Sequence, residues 1–495
     1  MSMKRRDFLK LGATGVAATI IMGTRIPFLG LTNAFAATQT LEVTITDALK
    51  NMVTHNEINN AQCYFWIYKM KADGVDIPPD NPGPTIYAVN GDTISIKITN
   101  TLDVPHSFFI PGIFDSGPIA PGATVGPLSF TVKQSGAHLY YDNLNEPVNR
   151  VMGLHGALVV RPAAAAAGHN FTPYDNPPPH TQNMFDMFGT KFWPGLKWEE
   201  GDPATLTPPF RQYVWLYHQA SPNLQLEVGN FTASNKKDYD AKTFRDKFLR
   251  DPFSPTRNNG KPQYFTINGQ SGFFSHFIPA ITPVSRVGEP VVIHILNAGL
   301  QTHSHHMHCN HFFITLNNKV RATNIVPHPN PVWVDIYNIK PMERVDYVFP
   351  FMRPPDNANA RGIGRPDQPL KTAGGIPVWP PQEEMQTFFP AAGTTALAFD
   401  GVTPVELGQR LSPLCYPAHD HLEPSQTAQG GNYNCGLISG AYIFGDRNAQ
   451  SQGLGNWMNF PMDADFKQMF RDIRGLAVNQ INGTREATGP RTVAG

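Results

Sequence analysis

The chain has 495 residues, enough to bury a core in each of one to three domains, and 41% of them are hydrophobic. Its 46 prolines and 42 glycines describe a loop-rich folded protein, not a low-complexity one. The 39 basic and 39 acidic residues cancel and only 16% of the chain is charged, so nothing favours nucleic acid or an anionic membrane as a partner.

Residues 1–36 read as an export signal. Arg5 and Arg6 precede an apolar stretch from Leu11 to Met22, and Ala34 and Ala36 supply the small residues a signal peptidase reads. Thr24, Arg25 and Pro27 interrupt the apolar run before it reaches the ~18 residues a membrane span needs. The pattern resembles a twin-arginine signal, which implies a mature chain beginning near Ala37 in a periplasmic or secreted location, with no anchor left after cleavage.

From Leu41 the pattern turns to strands. Leu41-Glu-Val-Thr-Ile-Thr and Thr93-Ile-Ser-Ile-Lys-Ile-Thr alternate apolar and polar residues, and Leu128-Ser-Phe-Thr-Val, Gly136-Ala-His-Leu-Tyr-Tyr and His155-Gly-Ala-Leu-Val-Val continue the unit. Short strands at this spacing predict an all-β sandwich over 37–165. The alanine run 163–167 and the prolines of 173–179 place a linker over 166–205. A second β unit is expected over 206–450, broken by a Pro- and Gly-rich insertion at about 353–412, with a polar tail over 451–495.

Five histidines fall between His303 and His311, in the order His-Ser-His-His-Met-His-Cys-Asn-His. On a strand His306 and His308 share a face, roughly 6.5–7 Å apart along the backbone. A second pair with the same spacing, His419 and His421, lies far downstream. Two His-x-His pairs are what a metal site between neighbouring strands requires, and imidazole suits copper, zinc, iron and nickel. Glu423, two residues past His421, would share its strand face. Cys415 and Cys435 bracket this loop, as a disulfide or as two thiols. Cys63 and Cys309 read as core residues, and His138 and His155 as packing.

These stretches together resemble the multicopper oxidase and copper nitrite reductase superfamily, built from tandem cupredoxin Greek-key sandwiches. The resemblance rests on residues 84–161, on 265–316, on His303-x-x-His306-x-His308 and on His419-Asp420-His421. It implies copper as the cofactor, with His106, His303, His306, His308, His419 and His421 as the metal ligands. It departs where the family places the cysteine of its type 1 copper. That position holds Asp420, the ligand expected five residues on falls on Ser425, and the matching cysteine of the first unit falls on Asp142. His106 stands without its partner, since Phe108 fills the second position of that motif.

A blue copper site requires a thiolate, so the implied function is a copper-dependent oxidoreductase with a remodelled centre. Asp420 and Glu423 are its candidate catalytic carboxylates. Its substrate would be a small molecule or metal ion, with O2 as a candidate oxidant. Copper sequestration without turnover is the alternative. His106 in one unit and the remaining ligands in the other imply an interdomain site, within one chain or across the subunits of a homotrimer.

Overall fold

Alternation at Leu41, Val43 and Ile45, each at most 2% exposed, buries one face of the strand Thr38–Met52. The computed structural model that places it describes residues 38–54, 61–77, 83–169, 171–188, 212–250, 263–277, 281–287, 291–308, 311–349, 414–427 and 433–446. Within the 353–412 insertion it describes two short ladders, Thr372–Ala373 with Ile376–Pro377 and Thr395–Leu397 with Pro404–Glu406. The export signal and the tail lie outside the described residues.

The first sandwich packs the sheet Val75–Ile77, Ala61–Ala72, Thr38–Met52, Thr93–Asn100, Thr124–Thr131 against Ile86–Val89, His155–Arg161, Gly136–Tyr141, Phe109–Ile110, Phe114–Asp115, each in spatial order. Ile45, Trp66, Tyr68, Ile96, Phe108 and Tyr140 fill the space between them. The second packs Tyr264–Ile267, Gln212–Ala220, Val291–Asn297, Glu343–Phe349, Phe312–Lys319, Val332–Val334 against Val284–Val287, Ile438–Asp446, Leu414–Asp420, His303–Met307, Ile336–Ile339. Its core holds Trp215, Tyr217, Ile295, Met307, Phe312 and Tyr347.

One topology is used twice. In each sandwich the opening strand pairs antiparallel with the next and parallel with a later one: Thr38–Met52 beside Thr93–Asn100, and Gln212–Ala220 beside Val291–Asn297. In each, the closing strand runs parallel to an early one. The architecture is all-β, two sandwiches in tandem.

The sandwiches meet along strands that are apolar on both faces. Ala137, Leu139, Ala157 and Val159 of the first pack on Val214, Leu216, Leu296 and Val320 of the second. This is why His155–Arg161 and Val291–Asn297 read as nearly continuous apolar runs. Two arginines cross the seam. Arg344, 1% exposed, donates to Ala137 O at 3.2 Å and Ala322 O at 2.7 Å. Arg150 donates to Gly299 O at 3.0 Å and to Ala298 O.

Two stretches differ from the sequence reading. The 166–205 linker contains the helix Pro179–Phe188, whose Met184 and Phe185 enter the second core, while the Tyr174 hydroxyl donates to Asp346 Oδ2 at 2.7 Å. Proline content marked a break in strand pattern there, not a free tether. Residues 222–250, expected within the second β unit, form the helices Pro222–Asn235 and Ala241–Arg250. Leu224, Val228, Phe244 and Phe248 complete the core of the first sandwich.

Candidate metal centre

The strands His303–Met307 and Leu414–Asp420 run antiparallel with His306 opposite His419. Side chains alternate, so Met307 and Ala418 point into the core while His306 and His419 share the outer face. His308 and His421 continue that face diagonally from this pair, anchored by His308 N donating to Pro417 O and His421 N to Ser304 O. Four imidazoles meet. Ring centroids are separated by 5.0 Å for His306–His308, 5.6 Å for His306–His419, 5.2 Å for His306–His421, 4.8 Å for His308–His419 and 5.1 Å for His419–His421. His419 is 8% exposed, His306 and His308 are half-buried and His421 is exposed, so the cluster opens on one side.

Hydrogen bonds to carbonyls set the tautomers. His306 Nδ1 lies 3.0 Å from Asp335 O and His419 Nδ1 lies 3.2 Å from Asp420 O. A carbonyl only accepts, so both rings carry the proton on Nδ1 and keep a lone pair on Nε2, the arrangement a metal-ligating histidine needs. His308 Nε2 then donates to His419 Nε2 at 2.7 Å. Burial, with some offset from its bond to Asp420 O and reinforcement by the three neighbouring rings, pushes His419 down to about 4. Burial and the His306 and His421 rings lower His308 as well. Both are therefore neutral at neutral pH and available as ligands.

Among the described residues no group of three or more His, Cys, Asp or Glu side chains is placed to hold a metal ion. The 2.7 Å contact between His308 Nε2 and His419 Nε2 is shorter than two ligands of one ion allow. Two nitrogens about 2.0–2.1 Å from one ion at a tetrahedral angle stand roughly 3.3 Å apart, so the two rings must part by about half an ångström. An all-imidazole donor set fits a borderline transition metal; His306 and His419 present bare Nε2 atoms, while a ligating His308 nitrogen would first have to give up its proton.

The other expected ligands are elsewhere. His303 faces the core, with Nδ1 2.6 Å from Asp420 Oδ2 and Nε2 accepting from the Gln219 amide, whose Oε1 is fixed by Leu300 N at 2.9 Å. Both ring nitrogens are used, which leaves His303 no atom for a metal. His106 is buried in the first sandwich, with Nδ1 2.6 Å from Asp142 Oδ2 and its ring edge-on to Trp66 at 4.9 Å. The spacing His303-x-x-His306 puts these two residues on opposite faces of a strand, a parity legible in the sequence.

Asp420 is fully buried against His303 and turned away from the four rings. Burial alone would raise its carboxyl, but His303 and the amides of Ser304 and Leu422 outweigh it and hold it below the usual range. Such a carboxylate does not reach a substrate at the histidine face. Glu423 does not share a strand face with His421, because the strand ends at Asp420; Glu423 opens the helix Glu423–Thr427 and is exposed. Cys435 is a buried thiol, not half of a disulfide. Sequence reasoning missed Tyr433, whose ring lies 4.4 Å from that of His419. Burial, then the Asp420 charge, pushes its hydroxyl up to about 12. No local pattern marks it.

Residues 68–165, which lie within the first sandwich and its exit, match a family model described as Multicopper oxidase. Among solved structures, the chain is similar to a blue copper oxidase from Nitrosomonas europaea at 15% identity, covering 87% of this chain and 89% of that one, with a TM-score of 0.43. It is also similar to a copper nitrite reductase from Nitrosomonas europaea (14% identity, 83% and 94% covered, TM-score 0.40) and to a laccase from Botrytis aclada (13%, 82% and 53%, 0.40). A search of curated proteins returns no match. The tandem all-β sandwiches are the fold class that the sequence led one to expect.

Proposed function

We propose that the chain is an exported copper-dependent oxidoreductase of the multicopper oxidase type, with its metal at His306, His308, His419 and His421 and with no type 1 centre. The convergence of four imidazoles on one strand face carries this reading. Copper, when bound, supplies one-electron redox chemistry. The protein's part is to hold His306 and His419 in the Nδ1–H tautomer, to keep His308 and His419 neutral, and to leave the exposed His421 side open to a small molecule or metal ion. The open side also suits closure by a second copy of the chain, as in a homotrimer.

The absence of type 1 copper follows from what replaces its thiolate. Asp142 and Asp420 stand at those positions and both spend their oxygens on hydrogen bonds. The test is metal content of the purified protein together with its absorption and paramagnetic resonance spectra. Bound copper without an intense band near about 600 nm is expected, since that colour requires thiolate-to-copper charge transfer. A strong band there, or a protein that takes up no copper, would overturn the proposal. Bound copper without turnover would favour sequestration.

A further inference from the structure

The same polar unit is built into both sandwiches. His106 Nδ1 lies 2.6 Å from Asp142 Oδ2, and His303 Nδ1 lies 2.6 Å from Asp420 Oδ2. Serine follows the histidine each time and donates to the other carboxylate oxygen: the Ser107 hydroxyl at 2.8 Å, the Ser304 amide at 2.8 Å. The amide two residues past the aspartate, Leu144 or Leu422, reaches that same oxygen at 2.9 or 3.1 Å. The aspartate's own amide donates to a leucine carbonyl just before the closing strand, Leu154 or Leu437, at 3.0 or 3.1 Å. An aromatic ring from the facing sheet meets each imidazole edge-on, Trp66 at 4.9 Å and Tyr217 at 5.5 Å. Both pairs are fully buried.

We infer that these His-Ser/Asp-x-Leu units are metal-free joints, and that in the second sandwich Asp420 is a positioning residue for the four-imidazole centre. The second half of this inference rests on the proposed function. Asp420 ties the strand carrying His306 and His308, through His303 and Ser304, to the strand and turn carrying His419 and His421. Its oxygens accept three hydrogen bonds and those of Asp142 accept four, the fourth from Asn149 at 3.0 Å. Neither carboxylate keeps an oxygen clear of these bonds for a cation.

The two joints differ in one respect that makes them separable. His303 Nε2 is held by Gln219, which Leu300 N locks in orientation. His106 Nε2 and Asn149 Oδ1 are buried with no hydrogen-bond partner among the described residues. An asparagine at position 142 or 420 presents an NH2 group to the histidine Nδ1–H. At 142 the conflict relaxes, because His106 can move its proton to Nε2 and Asn149 can turn over. At 420 a proton moved to Nε2 of His303 meets the Gln219 NH2, and turning Gln219 strands Leu300 N.

The experiment compares Asp420→Asn with Asp142→Asn in the full chain, by titration with copper(II) and zinc(II) and by thermal unfolding. Asp420→Asn is expected to weaken metal affinity roughly tenfold or more, and Asp142→Asn to leave it within about twofold. Asp420→Asn is also expected to melt at the lower temperature. Adding Gln219→Glu gives both the His303 Nε2–H and Leu300 N an acceptor, so the double variant should recover thermal stability even where Asp420→Asn alone fails to fold. Equal metal affinities for Asp420→Asn and the parent, equal damage from both single variants, or no recovery on adding Gln219→Glu would overturn the inference. If the parent chain binds neither metal, the proposed function fails while the thermal ranking and the Gln219 recovery still decide the joints.

Discussion

Acidifying the metal-free protein from about pH 7 to about pH 5 probes the neutral imidazoles at the seam between the sandwiches. His138, His155 and His218 are at most 3% exposed. Burial first, then the Arg344 guanidinium, pushes His138 down to about 4, although its bond to Gln134 O pulls the other way. Burial, with Arg150 and Lys50 adding to it against a bond to Val151 O, takes His218 to about 3. Burial and the neighbouring His218 ring put His155 well below its ordinary value. In the unfolded chain each returns to about 6.5. Because the folded values are the lower ones, the stability these groups provide is whole above about pH 6.5 and is lost as the pH falls, when only the unfolded chain takes up protons. Between about pH 7 and 5 His138 and His218 each cost about 1.9 kcal/mol, together about 4 kcal/mol, and His155 acts in the same direction. This figure is insensitive to how far below 5 the folded values lie. It is a large part of the roughly 5–15 kcal/mol that holds a domain folded. Asp420 adds nothing in this window, since its carboxyl is held below the usual range and its contribution fades only at lower pH. Urea unfolding followed by tryptophan fluorescence should show the midpoint falling steeply, and His218→Gln should remove about 1.9 kcal/mol of the dependence. A midpoint that stays flat from about pH 7 to 5 would refute the reasoning.

Replacing His306 and His308 together by alanine should abolish copper binding in equilibrium dialysis. His106→Ala should leave copper affinity unchanged yet cost about 1.5–3 kcal/mol in denaturant unfolding, because the buried Asp142 carboxylate loses the hydrogen bond from His106 Nδ1. Weakened binding in that variant would restore His106 as a ligand. Turnover of phenolic dyes should be low, measured as oxygen uptake, because such substrates deliver electrons through a thiolate-ligated copper in laccases; robust turnover would show that other residues do that work. Asp420→Cys alone should produce no intense visible band, because His303 remains held by Gln219 and Ser425 donates to Gly436 O at 3.0 Å.

Period-two alternation sufficed to place His306 with His308 and His419 with His421, because a strand face is a local property. It could not show that His306 stands opposite His419, a register set by strands more than a hundred residues apart. The same alternation, carried one step further, separates His303 from His306; the family-like spacing masked it. The repeated His-Ser and Asp-x-Leu units were in plain view at 106, 142, 303 and 420, yet the aspartates lie 36 and 117 residues from their histidines and only the fold joins them. The helices of 222–250 were missed for a different reason. In Pro222–Asn235 the apolar residues are spread thinly among Gln, Asn, Ser and Thr, so helical periodicity was weak where packing on the first sandwich supplies the stability.

Those helices also fix what counts as a separable piece of this protein. Leu224, Val228, Phe244 and Phe248 are encoded between strands of the second sandwich but roof the first. In return, the far ends of Thr38–Met52 and Ala61–Ala72 pack Ala48, Met52 and Phe65 against Ala220, Tyr264 and Cys435. A fragment stopping at residue 165 would leave the first core unroofed, and its complement would carry two helices with nothing to cover. Gene fusion, circular permutation or module swapping at that boundary would therefore divide a shared interior, and the smallest unit that recombination can pass on intact is the interlocked pair.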